Sequence, residues 1–243
     1  MPIIIPMAPK PQYQSGFYAT NNPYQMNGLK GFTEFKSIEE TNDLYLKLDF
    51  PGIKKESVIT LLEPSENSVT VTGEAPKESK HDSSHRKYRT TAGLSCDCCV
   101  ISNIQCVVED GVVRLILSKK KMNLYCSANT IRGYNPEDPA LTGPIILPHP
   151  SVSEGSMSAY ESKRLSKGGL FLRIDMPGVP KDSFVVAVDG DGYVTVMGRA
   201  PATMHDLSGR HYVGKVAIVP RGYDGRQIKV NAKDGVVRLV IRP

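Results

Sequence analysis
A segment that occurs twice limits what this chain can fold into. Leu46 to Ile53 reads L-K-L-D-F-P-G-I, and Leu172 to Val179 reads L-R-I-D-M-P-G-V, 126 positions later. Behind each copy comes a second shared piece, S-V-T-V-T-G-E-A-P at Ser68 to Pro76 and Y-V-T-V-M-G-R-A-P at Tyr193 to Pro201. Each copy closes on D-G-V-V-R-L, at Asp110 to Leu115 and at Asp234 to Leu239, where the offset has drifted only to 124. A unit this long, present twice, is a duplicated domain and not a solenoid of short repeats.

Residue types within the unit say what each copy is. In Leu44-Tyr45-Leu46-Lys47-Leu48-Asp49-Phe50 the apolar residues alternate with Tyr45, Lys47 and Asp49, the period of a half-buried strand. Pro51-Gly52 ends it, because proline cannot donate to a ladder and glycine relaxes the turn. Val69 and Val71 alternate with Thr70 and Thr72 in a second strand, stopped by Gly73 and Pro76. Asp-Gly ahead of V-V-R-L is a hairpin-turn signal, since both residues tolerate positive φ. Short strands with turn signals between them predict an all-β chain: two tandem immunoglobulin-like antiparallel β-sandwiches.

The ordered set of strand, D-h-P-G-h, V-T-V-x-G, polar loop, aliphatic strand and D-G-V-V-R-L resembles the α-crystallin domain of small heat-shock proteins. The likeness covers residues 41–121 and 165–243, and it is that of a divergent plant-like protein with two such domains. The family's closing motif is usually G-V-L, and the third position here is Val113 and Val237. The expected organisation is a flexible N-terminal arm over 1–31, a first domain over 32–121, a linker rich in Pro, Gly and Ser over 122–157, and a second domain over 158–243. The arm segment is rich in Pro, Asn, Gln, Tyr and Gly without period, which reads as disorder.

Composition narrows the partners. The chain is 40% hydrophobic and 23% charged, as two modest domains with tails require. Its net charge of +5 is too diffuse to point to nucleic acid. No apolar run approaches the roughly 18 residues that span a bilayer, and M-P-I-I-I-P-M-A-P has no basic residue before its apolar piece, unlike a secretory signal. The expectation is a cytoplasmic protein, with the nucleus as the alternative, that binds neither membrane nor nucleic acid directly.

Nothing in the sequence calls for an enzyme, a cofactor or a metal. His81, His85, His149, His205 and His211 form no H-E-x-x-H, and no nucleophile elbow or phosphate-binding loop is present. His81-Asp82 and His205-Asp206 recur between the copies, but neighbours on an extended chain point to opposite faces, so they read as shared ancestry of a loop. Cys96, Cys98 and Cys99 lack the second pair that structural zinc prefers. They are expected as reduced loop thiols, with redox sensing as the alternative, while Cys106 matches Val230, read as a core position.

The resemblance implies binding of extended apolar segments in a groove between the fourth and eighth strands of each domain. In the second copy that groove would be lined by Phe184, Val186 and Val188 facing Ile228 and Val230. In the first copy it would be lined by Val58, Thr60 and Leu62 facing Ile104 and Cys106, with Thr60 making the second groove the stickier. Two proline-flanked triplets are candidate docking motifs for such a groove, Ile3-Ile4-Ile5 and Ile145-Ile146-Leu147, with Ile3, Ile5, Ile145 and Leu147 as their anchors. Two functions fit. One is an ATP-independent holdase whose partners are unfolded or partly folded clients and its own or related α-crystallin-domain chains. The other is a non-enzymatic scaffold subunit of a defined complex, of which a nuclear chromatin-modifying assembly is one example. A duplicated domain can act as a built-in dimer, and the short polar runs Pro76–Arg86 and Pro201–Arg210 imply that loop-exchanged dimers between chains are weak.

Overall fold
A computed structural model describes residues 15–17, 25–27, 33–38, 40–41, 43–94, 98–122, 149, 151–189, 193–217 and 228–242. Strands β1 (Ser15–Phe17), β2 (Gln25–Asn27), β3 (Thr33–Ser37) and β4 (Leu44–Asp49) precede a 3-10 turn at Lys55–Ser57. Then come β5 (Ile59–Leu62), β6 (Ser68–Ala75), β7 (Arg86–Gly93), β8 (Cys99–Glu109) and β9 (Val112–Lys121). The second half holds β10 (Val152–Glu154), β11 (Tyr160–Arg164), β12 (Leu170–Asp175) and β13 (Phe184–Val188). It ends with β14 (Tyr193–Ala200), β15 (Arg210–Ala217), β16 (Ile228–Lys233) and β17 (Val236–Ile241).

Two antiparallel sandwiches result. The first packs sheet β1-β3-β4-β9-β8 on sheet β10-β7-β6-β5, and the second packs β11-β12-β17-β16 on β13-β14-β15-β2. Leu44, Leu46 and Leu48 meet Val69, Val71 and Tyr88 across the first core, and Phe50 stacks on Tyr88 with ring centroids 4.6 Å apart. Leu172, Ile174 and Met176 meet Val194, Val196 and Tyr212 across the second. These are the apolar residues of the alternating runs, so periodicity alone locates both cores. The two Asp-Gly turns hold positive φ at both positions, with Asp110 at 47° and Gly111 at 73°, Asp234 at 50° and Gly235 at 67°.

Three findings depart from the expectations. The N-terminal segment, read as disordered, contributes β1 to the first sandwich and β2 to the second. Within 122–157, β10 joins the first sandwich on β7. Each sandwich therefore receives a short strand from the segment that leads into the other: Gln25 and Asn27 lie opposite Tyr212 and His211, and Val152 and Glu154 lie opposite Tyr88 and Lys87. The third departure concerns β4, which is buried along all six residues and not on alternate ones. Tyr45, Lys47 and Asp49 are sequestered because the second copy covers that face.

Candidate functional site
The polar faces of β4 and β12, the starts of β7 and β15, and the loops before them meet in one interdomain interface. Asp49 at the end of β4 accepts from Arg210 at the start of β15, 2.5 Å away. Its counterpart Asp175 accepts two bonds from Arg86, at 2.7 and 3.0 Å. Both carboxylate oxygens of Asp82 accept from Arg238 Nε at 3.0 Å, and Asp206 accepts from Arg114 Nε and a terminal nitrogen at 3.2 and 3.1 Å. Glu34 accepts from the Leu207 amide at 2.6 Å and Glu161 from the Ser83 amide at 3.1 Å. Backbone bonds repeat the pattern, with Gly52 N–H donating to Asp234 O and Gly178 N–H to Asp110 O, both at 2.8 Å. These contacts come in mirrored pairs, so a pseudo-twofold axis relates the sandwiches.

Charge balance explains how so polar a face stays closed. Lys47 and Arg173 complete the set through Glu34 and Glu161, giving six cations against six anions: Lys47, Arg86, Arg114, Arg173, Arg210 and Arg238 with Glu34, Asp49, Asp82, Glu161, Asp175 and Asp206. Desolvating ions costs several kcal/mol each, so such pairs specify which surfaces meet more than they add net stability. One difference breaks the symmetry. Tyr45 donates its hydroxyl to Asp206, whereas its counterpart Phe171 has none and instead takes Lys163 over its ring at 6.0 Å.

His149 secures the segment that carries β10. The ring is 4% exposed, with Nε2 2.7 Å from Asp49 O and Nδ1 accepting from the Ser151 amide at 3.2 Å. A carbonyl only accepts, so Nε2 carries the proton and the ring is neutral. Burial, with the nearby Arg86 charge adding to it, pulls its pKa down to about 3. The unfolded chain binds this proton near pH 6.5. His149 therefore leaves stability intact above about pH 6.5 and lowers it as pH falls toward 3. Denaturant midpoints measured from pH 7.5 to 4.5 are expected to fall in the native chain, and with a shallower slope in His149→Gln. Equal slopes would remove this role.

The residues expected to line grooves lie on outermost strands, β5 and β8 in the first sandwich and β13 and β16 in the second, except Val58, which caps the 3-10 turn just before β5. Phe184, Val186 and Ile228 are partly buried against the second core, and Val58 and Ile104 against the first. Val188, Val230 and Leu62 sit opposite the core residues Val194, Leu239 and Val69, yet are 41%, 43% and 37% exposed. These core-facing positions are left open at the sheet edges. Val230 is thus a rim residue, correcting its reading as core, and so is the exposed Cys106. The 3-10 turn bridges to β8, and Ile101 N–H donates to Glu66 O at 2.7 Å, tying the two edges of the first sandwich together.

The outward faces of the edge strands carry exposed aliphatics in both copies. Ile59, Leu61 and Val107, on the outward faces of β5 and β8, are 64%, 60% and 56% exposed, against Val185 at 54% in the second copy. Ile3, Ile5, Ile145, Leu147 and Cys96 lie outside the described residues. Cys98 is disulfide-bonded, which corrects its reading as a reduced thiol, and Cys99 is a buried cysteine at the start of β8 and not a loop residue. The interface itself was missed. Its signal was available: Asp49/Asp175, Asp82/Asp206, Arg86/Arg210 and Arg114/Arg238 are identical charged residues kept by both copies.

Two α-crystallin-type sandwiches with open edge strands place the chain among small heat-shock-type proteins. A family model described as "Predicted plant small heat shock protein" matches residues 4–243, and the chain belongs to that family. It is 52% identical over 293 aligned residues to a protein of Arabidopsis thaliana named as a 57 kDa heat shock protein, covering 84% of this chain and 55% of that one. A mitochondrial 22 kDa heat shock protein of Glycine max is 32% identical over 83 residues, 34% of this chain and 38% of that one. A 14.7 kDa heat shock protein of Arabidopsis thaliana is 28% identical over 87 residues, 36% of this chain and 66% of that one. The chain thus spans about half the length of the first of these relatives.

Proposed function
We propose that the chain is an ATP-independent, non-enzymatic holdase of the cytoplasm that keeps partly unfolded clients from aggregating by binding their extended apolar segments. The observation that carries this reading is the set of core-facing aliphatics left open at the sheet edges: Leu62, Val188 and Val230. An edge strand offers unpaired backbone groups beside them, so an incoming segment gains both ladder bonds and apolar burial. No nucleotide is needed for such capture, because the gain comes from surface the client already exposes.

The test is heat-induced aggregation of a client enzyme followed by light scattering. The chain at an equimolar ratio is expected to suppress most of the scattering. Val188→Ser with Val230→Ser should weaken suppression, and Ile59→Ser with Leu61→Ser should weaken it further, since each removes larger exposed aliphatics. No suppression by the native chain would remove the holdase reading and leave a scaffold role in a defined complex. The triplets at Ile3–Ile5 and Ile145–Leu147 are the proposed intramolecular or neighbouring-chain occupants of the same edges. Burying two such side chains contributes roughly 3–6 kcal/mol before ordering entropy is subtracted. Serine at Ile145 and Leu147, or at Ile3 and Ile5, should raise dye binding and amide exchange in β13 and β16; unchanged exchange in both variants excludes docking on the second sandwich.

A further inference from the structure
The interdomain face is self-complementary although it closes within one chain. Arg86–Asp175 mirrors Arg210–Asp49, Arg238–Asp82 mirrors Arg114–Asp206, and the bonds of Gly52 and Gly178 mirror each other across the same axis. An interface of this kind, in which residue i meets j and j meets i, is the form that joins two separate subunits in a twofold dimer. What confines it to one chain is the tether. Residues 123–148, 26 in all, connect Met122, at the end of β9, to His149. Both flanking residues are held on the first sandwich, since Met122 N–H bonds Cys98 O and His149 bonds Asp49 O.

We propose that this face also accepts the opposite domain of a second copy of the chain, giving an exchanged dimer in which every interdomain contact is kept and only the tether changes. The exchanged unit is residues 149–242. His149 and β10 of each chain seat against Asp49, Tyr88 and β7 of the other, and each β2 seats on the other's β15. The leading strands suit such an exchange. Each is three residues long and carries a register shift, so little ladder has to open before the charged faces separate. Those faces are polar, so they return to water at modest cost and re-form by charge complementarity. Covalent tethering sets an effective concentration of about a millimolar. The closed chain therefore prevails at micromolar concentration, and the dimer accumulates when concentrated chains are opened by heat and cooled together.

Complementary charge reversal tests this without disturbing the edge strands. In Asp82→Arg the new charge faces Arg238 of its own chain, and in Arg238→Asp it faces Asp82. Only when the two variants trade halves is one native pair kept and one reversed pair made. At micromolar concentration, well below the effective concentration set by the tether, each variant annealed alone is expected to keep the 26.6 kDa mass of one chain. Their mixture should yield a species of twice that mass, holding one chain of each kind, with its melting point restored toward the native value. A mixture that stays at single-chain mass with unrecovered melting points overturns the proposal. Should either reversal prevent folding, unlabelled and isotopically heavy native chains annealed together near millimolar concentration decide the matter. Mixed dimers in native mass spectra support exchange, and their absence there overturns it.

Discussion
Gly111→Ala is expected to destabilise the folded chain by roughly 3–5 kcal/mol, far beyond an ordinary surface glycine. Two costs add. At φ +73° an L side chain is strained by about 1–2 kcal/mol. The added Cβ would also lie inside van der Waals contact with the Asp234 carbonyl oxygen, and 3.1 Å from Pro51 Cα. Neither obstacle is a flexible side-chain tip. The Asp234 carbonyl also accepts from Gly52 N–H at 2.8 Å, so pushing it away loses an interdomain bond. Gly235→Ala should behave alike, because its Cβ would meet the Asp110 carbonyl oxygen that accepts from Gly178 N–H. Gly168→Ala supplies the control: φ is +84° in an exposed turn of the second sandwich, so it keeps the conformational cost and omits the clash. Chemical denaturation of the three variants checks this. If Gly111→Ala costs no more than Gly168→Ala, the close approach of the two Asp-Gly turns is not what the glycines serve.

Those turns show how far the sequence could be read. Asp-Gly before an aliphatic strand identifies a hairpin, because local φ preference is written in two adjacent residues. That the same turn abuts its twin is a tertiary fact with no local signature. The two faces of β4 divide in the same way. Leu44, Leu46 and Leu48 announce a core by their period, while Tyr45, Lys47 and Asp49 announce only that the other face is polar. Period 2 cannot tell water from a second polar surface, and the partners Asp206 and Arg210 lie some 160 residues away. The His-Asp pairs make the point most sharply. Each looked like an inherited loop, and the opposite-face argument against a His–Asp couple was sound. What it left open was where each face points: His81 and His205 pack on the rings of Phe171 and Tyr45, and Asp82 and Asp206 bind Arg238 and Arg114. At the edges, alternation placed Phe184, Val186 and Val188 on one face of β13. Whether Val230 sat under a lid or at a rim depended on which strands end their sheets, which the sequence does not state.

Asp206→Asn is the substitution expected to open the interface most. The carboxylate is the acceptor for Arg114, for the Tyr45 hydroxyl and for the Thr203 amide, and Lys47 Nζ lies 3.3 Å away. Its counterpart Asp82 lacks the hydroxyl donor, since Phe171 stands where Tyr45 does. Removing the charge leaves Lys47, 4% exposed, and Arg114, 11% exposed, short of an anion in a closed space. Breaking a buried pair by deleting one member typically costs about 3–5 kcal/mol, so Asp206→Asn should lose that much and Asp82→Asn somewhat less. Acid adds an independent check. Burial pushes the Asp206 carboxyl up, but the Arg114 bond, the Lys47 charge and the Tyr45 and Thr203 donors prevail and hold it far below the usual carboxylate range. A depressed pKa contributes stability that is complete above about pH 4, where the unfolded carboxyl has ionised, and is lost as pH falls below it. This window opens below the start of the His149 window and overlaps only its lower end, so the two contributions separate above about pH 4. Asp206→Asn should flatten only the limb below pH 4, whereas His149→Gln flattens the fall that begins near pH 6.5 and runs to about pH 3. A variant chain that retains the full acid loss below pH 4 would show that Asp206 does not hold the two halves together.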